Sequence, residues 1–420
     1  MTMNILFIAP YTPSPIRVRP YQFIRHLARR GHTITPVCVA DNGPAMNELC
    51  SLCRRVIAVP IHAREHMLAY MRALPSSLPF QAAHCLTPAM IAAVVHELRR
   101  TDYDLIHIEH LRAAEIGLAA LRQYGFGPPI VLDAVDSISL LFERTFRRGS
   151  SLSGRLRALI DLARTRHYEA AYRHRFAAVF VTSPEDAWAL KTLNRVLADT
   201  GQAPVMVVPN GVDLNYFQPY IGPRQPANLI FTGKMSYHAN EAAARYLVEV
   251  VMPRVWAVRP EITVTLAGAE PGARIRAYAT DPRITVTGAV PDLRPYLTQA
   301  TIAVAPIRYG VGVQNKVLEA MATATPVIAA RQATVALHVK PDRDLIVADE
   351  AVDFADAILN LLADPERRAR LGSAGRAYVE QYHDWQQSVA QLEANYYAMT
   401  VGRSAMKKFS YNGHTFLEEL

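Results

Sequence analysis

Lysine is scarce in this chain of 420 residues: it supplies only six of the 45 basic side chains, at positions 191, 234, 316, 340, 407 and 408. The formal charge of +8 is therefore mainly an arginine charge. It favours anionic partners such as nucleotides, lipid headgroups or nucleic acid. Cysteine is equally sparse. Cys50 and Cys53 form one CxxC, with no second pair and no nearby histidine pair, so Cys38, Cys50, Cys53 and Cys85 read as free thiols rather than zinc ligands. No run of eighteen or more uncharged apolar residues occurs, so no spanning helix is expected. The start, MTMNILFIAP, lacks the basic region and cleavage site of a secretory signal and reads as a buried strand. The expectation is a cytoplasmic protein. Nor do aromatics interleave the arginines as in nucleic-acid modules, so no nucleic-acid partner is expected.

What is present is alternation. The length suits two domains with separate cores. Asn4–Ala9, Thr33–Ala40, Val56–Ile61, Leu105–Glu109, Ile130–Ala134 and Ala178–Thr182 read as strands, with helical patterns such as Pro20–Arg30, Thr87–Arg100 and Gly154–His174 between them. Gly31 stands where a helix would close. A turn-rich break falls at Leu197–Pro204, and the three prolines of Pro219–Asn228 mark a linker. A second series follows, with strands at Leu229–Thr232, Thr263–Ala267, Ile284–Thr287, Ile302–Ala305, Val327–Ala329 and Leu345–Val347. Helices are read at Ala239–Trp256, Pro271–Ala279, Leu293–Gln299, Asn315–Ala324, Val352–Leu362 and from Pro365 to about Met399, broken near His383. Alternation of this kind predicts α/β domains with parallel sheets. The boundaries read as 1–204, completed by a helix at about 386–400, then 205–385, then a polar tail at 401–420.

One stretch concentrates the chemistry: YGVGVQNKVLEAMATATPVIA, Tyr309–Ala329. Gly310 and Gly312 let backbone approach a ligand, and the helix that follows offers unpaired N–H groups and a positive dipole end, which suit phosphate. Asn315 and Glu319, four apart, share a helix face; Lys316 and Glu319, three apart, are neighbours. A carboxylate can accept both hydroxyls of a ribose. The same pattern also describes an amphipathic helix with an exposed Lys–Glu pair.

VVPNGVD (207–213), FTGKM (231–235), LAGAEP (266–271), ITVTGAVPDLRPYLTQATIAVAP (284–306) and NKVLEAMATATPVIA (315–329) follow one another in an order that resembles the retaining glycosyltransferases of family 4. The resemblance implies the GT-B fold, two Rossmann-like doubly wound domains facing across a cleft. It implies a nucleotide-diphospho-sugar donor on the second domain, an acceptor on the first, and a last helix crossing back to the first. Glu319 matches the glutamate that holds the donor ribose. Gly310, Val311 and Gly312 match the loop against sugar and phosphates, extended by Val313, Asn315 and Lys316. Two departures stand out. The family's first glutamate falls at Val311. Its Gly-Arg pair appears as Gly233-Lys234, and Tyr237, His238 and Asn240 stand where a further lysine is usual. Lys234 and Lys316 would replace that clamp as point charges.

On the acceptor side the loop Pro10–Arg19 has prolines instead of the family's glycines and ends in Arg17 and Arg19, placed to meet a diphosphate or an acidic acceptor; the other reading is a rigid surface loop. Relatives carry a functional histidine after the strand at 105–109. His110 is the candidate, while His107 reads as packed within the strand. Asp133 and Asp136 either orient the acceptor hydroxyl or cap the helix Ser137–Arg147. His110, Lys234 and Glu319 are thus the catalytic candidates. No cofactor or essential metal is expected, because no Asp-x-Asp lies in a donor loop and cationic side chains can take the charge.

Glu143–Arg175 holds nine arginines beside an apolar side. It reads either as a basic helix on an anionic membrane surface, which would suit a lipid-linked acceptor, or as an ordinary surface helix. The expected activity is transfer of a sugar to a glycan, lipid-linked or small-molecule acceptor. The rivals are a same-fold nucleotide-sugar epimerase or hydrolase, and a non-catalytic scaffold on membrane or RNA.

Overall fold

The computed structural model describes residues 2–41, 45–148, 152–193, 202–220, 222–401 and 409–410. The chain forms two compact units: Met1–Glu143, Arg157–Val208 and Trp385–Leu420 make the first, Arg144–Leu156 and Pro209–Asp384 the second.

The first unit is built on seven parallel strands: β1 (Asn4–Ala9), β2 (Thr33–Val39), β3 (Ile57–Val59), β4 (Leu105–Glu109), β5 (Ile130–Val135), β6 (Ala178–Val181) and β7 (Val205–Val207). Their order is β3-β2-β1-β4-β5-β6-β7. In β1 every residue after Asn4 is buried, the continuous apolar run expected of a strand covered on both faces. Helices α1 (Val18–Arg29), α2 (Ala63–Ala73), α3 (Leu111–Tyr124), α4 (Ile138–Arg148) and α5 (Leu152–Ala170), with others such as Pro88–Arg100, connect the strands. α1 closes on Gly31 at φ +91°, where the His32 N–H reaches the Leu27 carbonyl and the Gly31 N–H that of Ala28. That is the paired-bond helix end the glycine predicts.

The second sheet is also parallel, with β8 (Asn228–Thr232), β9 (Thr263–Ala267), β10 (Ile284–Gly288), β11 (Ile302–Ala305), β12 (Val327–Ala329) and β13 (Ile346–Val347) in the order β10-β9-β8-β11-β12-β13. Among its helices are α6 (His238–Tyr246), α7 (Asn315–Ala322) and α8 (Pro365–Tyr382). α6 runs on through a five-residue π turn, Leu247–Val251, into Met252–Val258. Pro253 has no N–H for a regular ladder, and the wider turn accommodates it. Gly372 and Gly375 of α8 admit the backbone of Ala324 and the side chain of Met321, where a Cβ at 372 would lie 2.3 Å from a carbonyl oxygen. α9 (Trp385–Val401) then returns to the first unit and buries Trp385, Val389, Leu392 and Tyr396 among Phe7, Phe23 and Phe180.

Three readings change. Val205–Val207 pairs with Val179–Val181, so it closes the first sheet and moves the boundary to 208/209. Asp136 and Asp133 do not cap the helix that follows them. Glu169 does, accepting from the Ile138 and Ser139 N–H groups, while Asp186 accepts from Ser137. The helices at Ala45–Leu52, α2, α3 and Pro184–Thr192 were not apparent from apolar spacing. Residues 197–201 of the expected break lie outside the described residues. So does most of the tail, although Phe409–Ser410 pairs with Phe126–Gly127. Among the described residues no helix is long and apolar enough to cross a membrane.

Candidate functional site

Both sheets reverse their winding beside the first strand of each series, between β1 and β4 and between β8 and β11. In open parallel sheets ligands bind outside the carboxyl ends of the strands at such a point. Each unit places polar groups there.

In the second unit the loop after β11 leads through Gly310 (φ +159°) and Gly312 (φ +67°) into α7. Gly310, Val311, Gly312 and Val313 are buried, yet among the described residues their N–H groups make no hydrogen bond. Unpaired N–H groups at the entry to a helix are donors that a ligand can meet. Gln314, at the helix start, provides no side-chain cap. Instead its amide donates to the Val311 carbonyl at 3.3 Å, and its oxygen accepts from Lys316 Nζ at 3.0 Å. Burial holds the Lys316 ammonium down at about 8 although Glu319 raises it, and burial holds the Glu319 carboxyl up although Lys316 lowers it. These two groups, half-buried on one helix, feel each other's charge. Asn315 accepts from Asn210 Nδ2 at 3.2 Å, which ties the PNG turn to the start of α7.

The loop after β8 reaches the same place. A Cβ on Gly233 would lie 3.3 Å from Lys316 Cε and 2.7 Å from Asn240 Nδ2. Gly268, after β9, packs directly on it: a Cβ there would stand 1.9 Å from the Gly233 carbonyl oxygen. Lys234 points elsewhere, forming a 2.9 Å ion pair with Glu270 that is about half exposed. Of the three residues standing where a further lysine is usual, Asn240 is buried and holds the Lys234 carbonyl, and His238 stacks on Tyr309 with centroids 5.4 Å apart. Gly233, Gly310–Val313, Asn315, Lys316 and Glu319 are therefore brought together. Gln314 and Gly268 join them without having been singled out, since the partner of Gly268 lies far along the chain and that of Gln314 in the loop just before it.

In the first unit His110 follows β4 at φ +66°, a costly conformation for a non-glycine residue. Its Nδ1 accepts from the Arg112 N–H at 3.2 Å and caps α3. Burial, with Arg112 and Arg17 nearby, lowers its pKa to about 3. His110 is thus a neutral imidazole with Nε2 still available. Arg17 is exposed and lies over the Tyr11 ring at 4.7 Å, while Arg112 has a buried Nε without a partner among the described residues. Arg112 is the residue that sequence reasoning missed here.

Arg19 and Asp136 do not join this group. Arg19 is 4% exposed and grips both oxygens of Asp133 in the interior, so it is not free to meet a ligand. Asp136 accepts from Thr182 Oγ1 at 3.0 Å, and burial followed by Asp186 raises its pKa to about 7. His107 is packed as read: it stacks on Phe7 and shares a 2.6 Å hydrogen bond with the Tyr396 hydroxyl. With Glu109 and Asp133 it forms a group of potential metal ligands within 4.8 Å. The positive charge beside that group is already supplied by Arg19.

Comparison with known proteins bears on the family and the fold. The model of "Glycosyltransferase Family 4" matches residues 17–216 and that of "Glycosyl transferases group 1" residues 226–364. The chain is 27% identical over 349 residues to the D-inositol 3-phosphate glycosyltransferase of Arthrobacter sp. (strain FB24), covering 77% of this chain and 78% of that protein. It is 33% identical over 149 residues to the GDP-mannose-dependent monoacylated alpha-(1-6)-phosphatidylinositol monomannoside mannosyltransferase of Corynebacterium glutamicum, covering 32% of this chain and 39% of that protein. Among solved structures, sucrose-phosphate synthase from Thermosynechococcus elongatus superposes with a TM-score of 0.70 at 20% identity, covering 95% of this chain and all of the other. Anabaena HepE in complex with UDP gives 0.66 at 16%, covering 94% and all. Two parallel sheets, a donor row at α7 and family matches over both units lead to one conclusion: the chain belongs to the group 1 glycosyltransferases of GT-B fold and is a glycosyltransferase that uses nucleotide-sugar donors.

Proposed function

We propose that the chain moves a sugar, with retention, from a nucleoside-diphosphate sugar held at the start of α7 to a hydroxyl of an acceptor bound by the first unit. The observation that carries this reading is the buried, unpaired N–H row from Gly310 to Val313 beside Lys316 and Glu319. The row and the helix start bind the diphosphate, and Glu319 accepts the ribose hydroxyls. Lys316 adds a cation at the phosphates. Lys234 can join it, since an exposed ion pair such as Lys234–Glu270 is worth only about 0–1 kcal/mol. Val311 presents a buried aliphatic side chain where relatives have a carboxylate, so the donor sugar is held by backbone and by groups other than that glutamate.

Transfer then needs no protein base. The acceptor hydroxyl attacks the anomeric carbon on the face the diphosphate leaves. The new C–O bond forms as the bond to the diphosphate breaks, and a departing phosphate oxygen takes the proton. Positioning and stabilisation of the charge growing on the diphosphate supply the rate. Lys316, Lys234 and the N–H row do this without a divalent cation.

In the first unit, Arg17, Arg112 and neutral His110 sit together at the carboxyl ends of β1 and β4. Two free or partly free guanidinium groups there suit an acceptor that carries phosphate. The names of the relatives above, an inositol phosphate and a phosphatidylinositol mannoside enzyme, support the same class for this chain. Glycan, lipid-linked and small-molecule acceptors all remain within it if they are phosphorylated.

Calorimetric titration with UDP, GDP, ADP and dTDP tests the donor site and selects the base. Glu319→Ala should lose about 1–3 kcal/mol of nucleotide affinity, whereas unchanged affinity removes Glu319 from the ribose. Lys234→Ala should weaken diphosphates and spare nucleosides. Donor alone should release little nucleotide until a phosphorylated acceptor is added; rapid release without one would instead mark a hydrolase.

A further inference from the structure

Helix α7 is short, and what holds its far end bears on what its start can bind. Its eight residues put the two ends only about 12 Å apart, so the negative end of the dipole offsets part of the pull that the positive end exerts on an anion. The last carbonyls of a helix have no partner within it. At the end of α7 the Thr323, Ala324 and Thr325 N–H groups reach the Glu319, Met321 and Ala320 carbonyls. The next three carbonyls go to guanidinium groups. Arg376 of α8 donates to Ala322 at 2.7 Å, and Arg224 donates to Thr323 at 3.2 Å and to Ala324 at 3.1 Å. Ala324 stands at φ +53°, costly without glycine, and its carbonyl is one that Arg224 holds.

Arg224 is half-buried, and its other bonds go to the Leu297 and Ala300 carbonyls at 3.3 and 2.9 Å and to the Thr325 hydroxyl at 2.8 Å. Those two carbonyls close the helix Arg294–Gln299, so one guanidinium caps two helix ends. Among the described residues Arg224 forms no ion pair. A guanidinium drawn out of water ordinarily takes a carboxylate. Here the converging helix ends supply the negative charge instead. Arg376 is less free, since its Nε pairs with Glu380 at 2.6 Å. We propose that Arg224, with Arg376 in support, is a positioning residue for the donor: it neutralises the negative end of α7, so that the opposite end, with Lys316, keeps its full attraction for a diphosphate. This rests on the reading of the α7 start as the donor site.

Calorimetric titration of the full chain with UDP, GDP, ADP and dTDP, each beside its nucleoside, tests it, with thermal melts of the free protein in parallel. Arg224→Gln should lose about three- to tenfold in affinity for the tightest diphosphate and less than about twofold for its nucleoside. Arg224→Lys keeps the charge without the fork, so it should melt lower yet hold diphosphate affinity within about twofold. Arg376→Gln should lose about two- to threefold for the diphosphate alone, and it decides the matter together with Arg224→Lys if Arg224→Gln does not fold. Arg368 gives the control, because it donates to the Leu361 and Leu362 carbonyls at the end of the helix Ala351–Ala363. Arg368→Gln should lower the melt and leave both affinities unchanged. Losses shared by the Gln and Lys variants, and by diphosphate and nucleoside alike, would make Arg224 a structural clasp only and overturn the proposal. It would also fall, with the donor reading intact, if Glu319→Ala weakened nucleotides while Arg224→Gln and Arg376→Gln kept the full preference for the diphosphate. A native chain that binds diphosphates no tighter than nucleosides would overturn both.

Discussion

Arg19 and Asp133, 114 positions apart, meet inside the first unit as a two-pronged ion pair: Nε lies 2.7 Å from Oδ2 and Nη2 2.9 Å from Oδ1. Arg19 also donates to the Val208 carbonyl at 2.9 Å and lies over the Phe23 ring. The pair therefore fastens the loop after β1 to β5 and to the end of β7. Arg19→Met should destabilise the first unit by about 3–5 kcal/mol, because Asp133 is left as a buried lone charge. Arg19→Met with Asp133→Leu should recover most of that. Urea titration checks both, and equal losses in the single and double variants would show that the pair is not the source.

Donor affinity should depend on pH through Lys316. Its ammonium, held down to about 8, is charged below that pH and neutral above it in the free enzyme. Affinity for a nucleoside diphosphate should be flat up to about pH 8 and then fall by up to about tenfold per unit. Stability moves the other way, rising between about pH 8 and the usual lysine value of about 10.5 because the unfolded chain binds the extra proton there. Titrations from pH 6.5 to 9.5 should show the break in the native enzyme. Lys316→Arg should lose it, since a guanidinium stays charged throughout.

Removal of divalent cations should leave transfer intact. Activity measured with the phosphorylated acceptor in EDTA should stay within about twofold of the untreated enzyme, as the role proposed for cationic side chains and N–H dipoles at the leaving group requires. A loss restored by magnesium would assign that charge to a metal.

Gly268→Ala tests the joint between two donor loops. At φ +146° and 1.9 Å from the Gly233 carbonyl, a methyl group has neither the backbone conformation nor the room it needs. The second unit should lose at least about 1–3 kcal/mol, with weaker nucleotide binding as the Gly233 loop is displaced from Lys316. Thermal melts and calorimetry on one variant read both effects.

The parts of this molecule that were legible in the chain are those whose determinants are local. Strands such as Leu229–Thr232 are buried on both faces and read as unbroken apolar runs. Gly31 ends its helix by itself, and Lys316 and Glu319 are neighbours because of a three-residue step. Long-range facts were hidden. Nothing near Arg19 announces Asp133, so an arginine at a loop end looked free. Arg112 reads as an ordinary helix residue until its Nε is seen buried without a partner. Met67, Leu68 and Met71 of α2 stand exposed while Ala69 and Ala73 are buried, against the usual inside-outside pattern, so apolar spacing did not announce that helix. The roles proposed for Glu319 and the glycine loop rest on family resemblance as much as on physics, and Val311 marks where that resemblance stops.

Because α9 threads back into the first unit after Asp384, residues 209–384 amount to an insertion between a strand and the helix that completes its core. Growth on the ribosome therefore meets the two units out of order. The later segment has all its strands and can close as soon as it emerges. The earlier one must wait with Phe7, Phe23 and His107 uncovered until Trp385 and Tyr396 have been made. A chain cut short before Trp385 should leave a folded nucleotide-binding half attached to a half that aggregates.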